Sequence, residues 1–266
     1  MTILSLTKHH GLGNDFLVVF APAVDDLAGL ARRFCDRRRG IGADGLLVAT
    51  EAEGFDARMV LHNADGSRAE MSGNGIRCFA QAVAARNGSL APQRILTDAG
   101  ERLVVLTATP DPTMVLAAVD MGEVADLAEP HGWAALECDP LRPVRHLSLG
   151  NPHSVVAVDD VGVVDLARLG SLVPHVNLEV VEPGPEPHGI TMRVHERGAG
   201  ITEACGTGAC ASAWAARMWG LVPGSAAEIV VHMDGGDATV RLHDPAPNRV
   251  TLVGPAQYVA SVQVEA

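Results

Sequence analysis

With 266 residues, 47% of them hydrophobic and 20% charged, the chain has a globular composition and enough length for one large core or two ordinary ones. Its formal charge of −12 argues against the basic footprint of a nucleic-acid binder, and no apolar stretch approaches the roughly 20 residues that span a bilayer. Lysine occurs once, at Lys8, so unless Lys8 itself serves, the Schiff base that pyridoxal phosphate chemistry requires is excluded.

The opening MTILSLTKHH lacks the charged start and apolar run of a signal peptide. The five cysteines (35, 78, 138, 205 and 210) are odd in number and form no Cys-x-x-Cys pair, which is the pattern of free thiols in a reducing compartment. A cytoplasmic location is the expectation.

In chain order, an apolar strand over Phe16–Phe20 leads into a helix over Val24–Arg38, and a second strand follows at Arg58–His62. A polar loop and a glycine-bracketed turn, Ser72-Gly73-Asn74-Gly75, then open a helix over Ile76–Asn87. Gly88 stands just past its last turn, the usual C-terminal stop. Alternating strands continue from Arg94 to Asp120. The plan then repeats: strand Val155–Val158, helix Val164–Leu172, strand Ile190–His195, turn Cys205-Gly206-Thr207-Gly208, helix Ala209–Trp219 with Gly220 after it, and strands from Glu228 to Val264.

The repetition extends to residues. Gly13-Asn14 with Val18-Val19 returns as Gly150-Asn151 with Val155-Val156, an offset of 150 − 13 = 137. Asp26-Leu27-Ala28 returns as Asp165-Leu166-Ala167, an offset of 165 − 26 = 139. Met59, His62, Glu70, Gly73 and Gly75 return as Met192, His195, Glu203, Gly206 and Gly208, at 192 − 59 = 133. The chain therefore reads as an α/β (α+β) protein of two pseudo-symmetric, duplicated domains. Each is a mixed, strongly curled β-sheet around a central buried helix, because the alanine-rich second helices lack a polar face. The expected domains are residues 1–122, joined by the C-terminal strand 257–266, and residues 123–256, meeting near the acidic, Gly- and Pro-punctuated stretch Met121–Pro130.

The two glycine-bracketed turns are the expected chemical centres. Glycine lets the backbone approach a ligand closely, and a helix N-terminus offers N–H groups and partial positive charge to an anion. A cysteine there is expected to have its pKa lowered into roughly the 3.5–7.5 range, which makes Cys205 a candidate base or nucleophile. Cys35, Cys78, Cys138 and Cys210 read as buried apolar residues. No phosphate loop, nucleophile elbow or zinc signature is present, the eleven histidines lack tight metal-ligand spacing, and no metal or cofactor is expected. The arginines at 32, 33 and 37–39 read as decoration of a helix C-terminus.

The segments GLGNDFLVV, RRGIGADGLL, HNADGSRAEM, SGNGIRC, GNPHSVV and VHERGAGITEACGTGAC, from residue 11 to about residue 211, resemble the signature segments of the diaminopimelate epimerase family in their order. The resemblance implies cofactor-independent interconversion of LL- and meso-diaminopimelate, in the synthesis of lysine and peptidoglycan precursors, with the substrate in a cleft between the two domains. It also implies two cysteines working on opposite faces of the α-carbon, one as thiolate and one as thiol. Cys205 matches one of them, and Ser72 stands where the family pattern has the other. By the same resemblance Asn14, Asn63, Asn151, Asn177 and Arg197 hold substrate. Gly73, Asn74, Gly206 and Thr207 grip its α-carboxylate, and His153 and Glu196 handle or orient protons near the thiols. A homodimer is implied as well. Ser72 leaves several readings open: an inactivated or weak epimerase, engineered or natural; a related one-base enzyme such as an amino-acid dehydratase or another racemase; or a non-catalytic amino-acid-binding protein.

Overall fold

The computed structural model of the protein describes residues 3–21, 24–243 and 248–265. The extreme ends of the expected domains, at Met1, Thr2 and Ala266, lie outside the described residues, as do residues 244–247 within the expected final run of strands. Two compact units divide the chain: Met1–Asp120 with Gly254–Ala266, and Met121–Val253.

Unit 1 contains β1 (Ile3–Gly11), β2 (Asn14–Phe20), α1 (Leu27–Cys35), β3 (Gly45–Thr50), β4 (Ala57–Asn63), β5 (Arg68–Ala69), α2 (Gly73–Asn87), β6 (Gln93–Thr97), β7 (Gly100–Ala108) and most of β8 (Met114–Glu123). Unit 2 contains β9 (Ala125–Asp126), β10 (Val144–Ser148), β11 (Pro152–Ala157), α3 (Leu166–Leu172), β12 (Asn177–Pro183), β13 (Gly189–Glu196), β14 (Gly200–Thr202), α4 (Gly206–Trp219), β15 (Glu228–Met233) and β16 (Gly236–Leu242). The last strand, β17 (Arg249–Glu265), begins in unit 2 and ends in unit 1.

The sheets repeat the same mixed pairing. In unit 1 β2 runs parallel to β3 and β4 parallel to β6, while β1–β2, β3–β4, β6–β7 and β7–β8 are antiparallel. Pairings of β17 with β1 and with β8 complete the curl. In unit 2 β11 runs parallel to β12 and β13 parallel to β15, with antiparallel neighbours elsewhere. Phe16 pairs with Gly45 in the first parallel ladder and His153 with Asn177 in the second. The two residues separated by 137 in sequence thus occupy the same register position.

Helices α2 and α4 are the cores of their units. Residues 73–84 of α2 are buried without a break, as are residues 206–213 of α4. Both end on a left-handed glycine, Gly88 at φ 64° and Gly220 at φ 74°, as the sequence predicts. Satellite clusters seat α1 on β1–β3 through Leu30, Phe34, Leu17 and Val48, and α3 on β12 through Leu166, Leu178 and Val180.

Three local expectations change. Helix α1 stops at Cys35 rather than Arg38, because the Asp36 carboxylate accepts the N–H groups of Arg38 and Arg39 and turns the chain. Helices α2 and α4 start at Gly73 and Gly206, so the glycines lie in the first helical turn and not before it. Strands β3 and β12, each the parallel partner of its unit's first predicted strand, were not anticipated.

Candidate active site

Each turn is built by its first residue acting as a helix cap. Ser72 adopts an extended backbone (φ −139°, ψ 124°) and its Oγ accepts the Gly75 N–H at 3.0 Å. Cys205 does the same (φ −128°, ψ 112°), its Sγ accepting the Gly208 N–H at 3.4 Å. An oxygen or sulfur in this position satisfies an N–H that the helix cannot. Serine and cysteine are therefore structural equivalents here, while a thiol is intrinsically the stronger acid and its anion the better base. Cys205 is buried and Ser72 half-buried.

In unit 1 the predicted residues Asn14, Ser72, Gly73 and Asn74 come together. Asn74 Nδ2 donates to Asn14 Oδ1 at 3.2 Å, and Asn14 Nδ2 donates to Asp44 at 2.7 Å. Asn63, at the end of β4, is exposed and donates to Ser67 Oγ at 3.0 Å. Beneath the turn lies a residue that sequence reasoning passed over, Arg77. Its guanidinium is fully buried and donates to Pro255 O, Gly73 O and Asn74 Oδ1. Arg37, read from the sequence as decorating a helix C-terminus, is exposed just past α1 and also bridges Asp15 and Asp44, each at 2.7 Å.

In unit 2 a single run of contacts joins Asn151, His153, Thr207 and Cys205. Cys205 Sγ lies 3.5 Å from Thr207 Oγ1, which accepts from Asn151 Nδ2 at 3.2 Å. Asn151 Oδ1 is 3.0 Å from His153 Nε2. The opposite ring nitrogen, Nδ1, is 2.6 Å from Glu179 Oε1, in a pair with no solvent exposure on either side chain. Asn177 Oδ1 accepts the backbone N–H of Arg197 at 2.8 Å, and Glu196 accepts from Thr202 Oγ1 at 2.6 Å. The Arg197 side chain is exposed.

Glu179 was missed because a glutamate on a strand normally marks a solvated face. The available signal was its setting: Leu178 precedes it, Val180 and Val181 follow, and the corresponding position in the first half is the buried Leu47.

The electrostatics of Cys205 reverse the expectation of a lowered pKa. Burial pushes its thiol well above the ordinary value, the nearby Glu196 pushes the same way, and the Thr207 and Gly208 donors only partly oppose them. The helix terminus offers too little to outweigh removal of the sulfur from water. The resting form of Cys205 is the protonated thiol. Cys35 and Cys78 are likewise pushed up to about 12, chiefly by burial. Cys138 departs from the expected burial and is half-exposed.

Comparisons with known proteins bear on this arrangement. A family profile described as Diaminopimelate epimerase matches residues 6–126 and 146–259. A protein named diaminopimelate epimerase from Desulfitobacterium hafniense is 38% identical, covering 96% of either chain, and one of the same name from Thermosynechococcus vestitus is 39% identical, covering 97% of this chain and 98% of its own. Among solved structures, a PhzF-family phenazine biosynthesis protein of Bacillus anthracis superposes over the full length of both chains, with a TM-score of 0.78 at 16% identity. A hydroxyproline epimerase from Agrobacterium vitis covers 99% of this chain and 91% of its own, with a TM-score of 0.71 at 16% identity. At that identity the structures speak for the fold alone, which is the duplicated α+β arrangement described above.

Proposed function

Because the chain belongs to the diaminopimelate epimerase family, we propose that it acts on diaminopimelate with Cys205 as its one thiol acid–base group and Ser72 as the group that limits inversion. The class of activity, epimerisation of an amino acid without pyridoxal phosphate, follows from the family. The observation that carries the proposal is the equivalence of the two caps: Cys205 and Ser72 hold the same backbone position and accept the corresponding N–H, yet one presents a thiol and the other a hydroxyl, an intrinsically weaker acid.

The α-proton moves to the Cys205 thiolate, and the C–H electron pair stays on carbon, delocalised into the neighbouring carboxylate as an enolate. Gly73, Asn74, Gly206 and Thr207 carry over from the family as the residues that grip the α-carboxylate, and a helix N-terminus favours the charge that develops there. Return of the proton from Cys205 regenerates the starting isomer. Inversion requires a proton delivered to the other face, and a serine hydroxyl, a weaker acid than a thiol, supplies it poorly. Asn177, Arg197 and Asn63 serve the distal amino-acid end in this reading, with Arg197 matched to a carboxylate by its planar fork. His153 and Glu196 orient or relay protons at the thiol. A place in lysine and peptidoglycan precursor synthesis, a cytoplasmic location and a homodimer belong to the same reading. Sedimentation velocity tests the last.

The test is incubation of the protein with LL-diaminopimelate in D₂O. The expected result is deuterium at the α-carbon, accumulating faster than the meso isomer forms. Absence of exchange at every pH would refute Cys205 as a working base.

A further inference from the structure

The buried pair beneath α4 carries a consequence for Cys205. Glu179 Oε2 is buried and has no hydrogen-bond partner among the described residues, while Oε1 meets only His153 Nδ1. An ionised carboxylate concentrated on one donor, fully out of water, is costly. A neutral carboxylic acid that donates one hydrogen bond and leaves a carbonyl oxygen over is far cheaper.

The rest of the chain of contacts fixes where the proton lies. Asn151 Nδ2 donates to Thr207, so Asn151 presents its carbonyl to His153 Nε2, and Nε2 must carry a hydrogen. An imidazolium on a carboxylate would leave the ionised Oε2 buried and without a hydrogen bond, whereas with a neutral imidazole Nδ1 is an acceptor and the Glu179 oxygen facing it at 2.6 Å is the donor. We infer that Glu179 is a protonated, neutral carboxylic acid that acts as a positioning residue for Cys205. It donates to His153 Nδ1, and His153 Nε2–H donates to Asn151. Asn151 Nδ2–H donates to Thr207, and the Thr207 hydroxyl is left to donate to Cys205 Sγ. With the Gly208 N–H, the sulfur receives two donors, which is what a thiolate needs.

Two observations support this assignment. A Cβ placed on Gly208 would meet Glu179 Oε1 at 2.7 Å, so the acid lies directly under the turn that carries the thiol. Burial, opposed by His153, raises the Glu179 pKa, the direction that keeps it protonated. The charged and titratable groups facing the carboxyl are His153 on β11, Glu196 at the end of β13 and Cys205 at the cap of α4. A neutral Glu179 leaves Glu196 as the one carboxylate opposing the thiolate among them. The functional meaning of the chain rests on the epimerase reading; the protonation state does not.

The experiments need no substrate. Infrared spectra of the native protein in D₂O at pH 7, with and without ¹³C-carboxyl glutamate, are expected to show one acid carbonyl band that moves with the label. The band is expected to be absent in Glu179→Gln. Native protein without such a band overturns the assignment, whatever the variants do. Alkylation of Cys205, followed against pH by peptide mass mapping, then tests the reach of the chain. Glu179→Gln, neutral and able to donate, should keep the native profile. Glu179→Leu should slow alkylation about tenfold near pH 8, the loss of one hydrogen bond to a charged atom. A Glu179→Gln profile displaced to lower pH by a unit or more would mean that a charge had been removed, and would contradict the proposal. An unchanged rate in a folded Glu179→Leu would contradict the positioning role. Loss of α-deuteration in the native enzyme with these results intact would count against the epimerase reading alone.

Discussion

The two turns share a backbone and differ in what lies under them. In unit 1 the asparagine link runs from Asn74 to Asn14, and in unit 2 from Asn151 to Thr207, both at 3.2 Å. Below that link the chemistry inverts. Unit 1 has Phe16 where unit 2 has His153, Leu47 where unit 2 has Glu179, and the buried guanidinium of Arg77 where unit 2 has Cys210. One turn rests on a fixed positive charge and an aromatic ring, the other on a buried acid–imidazole pair. The frame is repeated in the two units, and a handful of buried positions give the two turns different surroundings.

The largest effect expected from breaking this comparison is at the thiol. Cys205→Ala should reduce α-hydrogen exchange with diaminopimelate by about a thousandfold or more, read by deuterium incorporation, because no other acid–base group stands in its place. Native exchange should also climb about tenfold per pH unit from neutral into the alkaline range. The thiol's raised pKa keeps the thiolate a small fraction there, and each unit below that pKa multiplies it by ten. A flat profile would show that deprotonation of Cys205 is not limiting.

A smaller but clear effect is expected at Arg77. Arg77→Met keeps much of the volume but leaves Pro255 O, Gly73 O and Asn74 Oδ1 without that donor. The loss should be about 3 kcal/mol, seen as a lowered urea midpoint at constant slope. Ser72→Ala, which removes only the cap on Gly75, should cost about 1 kcal/mol in the same assay.

The mildest test is alkaline pH. Cys35 and Cys78 are pushed up to about 12 in the folded protein, above the roughly 8.5 of an unfolded thiol. Their contribution to stability is complete below about pH 8.5 and is lost as pH rises from there toward 12, because the unfolded chain releases those protons first. Cys78→Ala should flatten this decline, measured by denaturant midpoints across the alkaline range.

The frame of the fold was legible because its signals are local. Glycines end α2 and α4, apolar helices without a polar face become cores, and the three repeated blocks announce two like halves. Strands β3 and β12 are hard to read because Leu46–Ala49 and Leu178–Val181 are buried on both faces of the sheet, where alternation vanishes. At the site, the polar residues of the turns could be picked out one by one. Arg77 and Glu179 could not, since a charge in an apolar segment reads as a surface residue until the opposite wall is known. The thiol's pKa failed for a related reason: the helix terminus is visible in a sequence, while the burial that overrides it is not.

The central claim is that Cys205 works alone because Ser72 fills the second thiol's position. The most direct test compares α-deuteration with meso formation from LL-diaminopimelate in D₂O, for the native chain and for Ser72→Cys side by side. Exchange is expected to outrun inversion in the native protein, with inversion rising by about 10²–10⁴-fold in the variant, the usual worth of a positioned acid–base group. Equal ratios of inversion to exchange in the two proteins would contradict it.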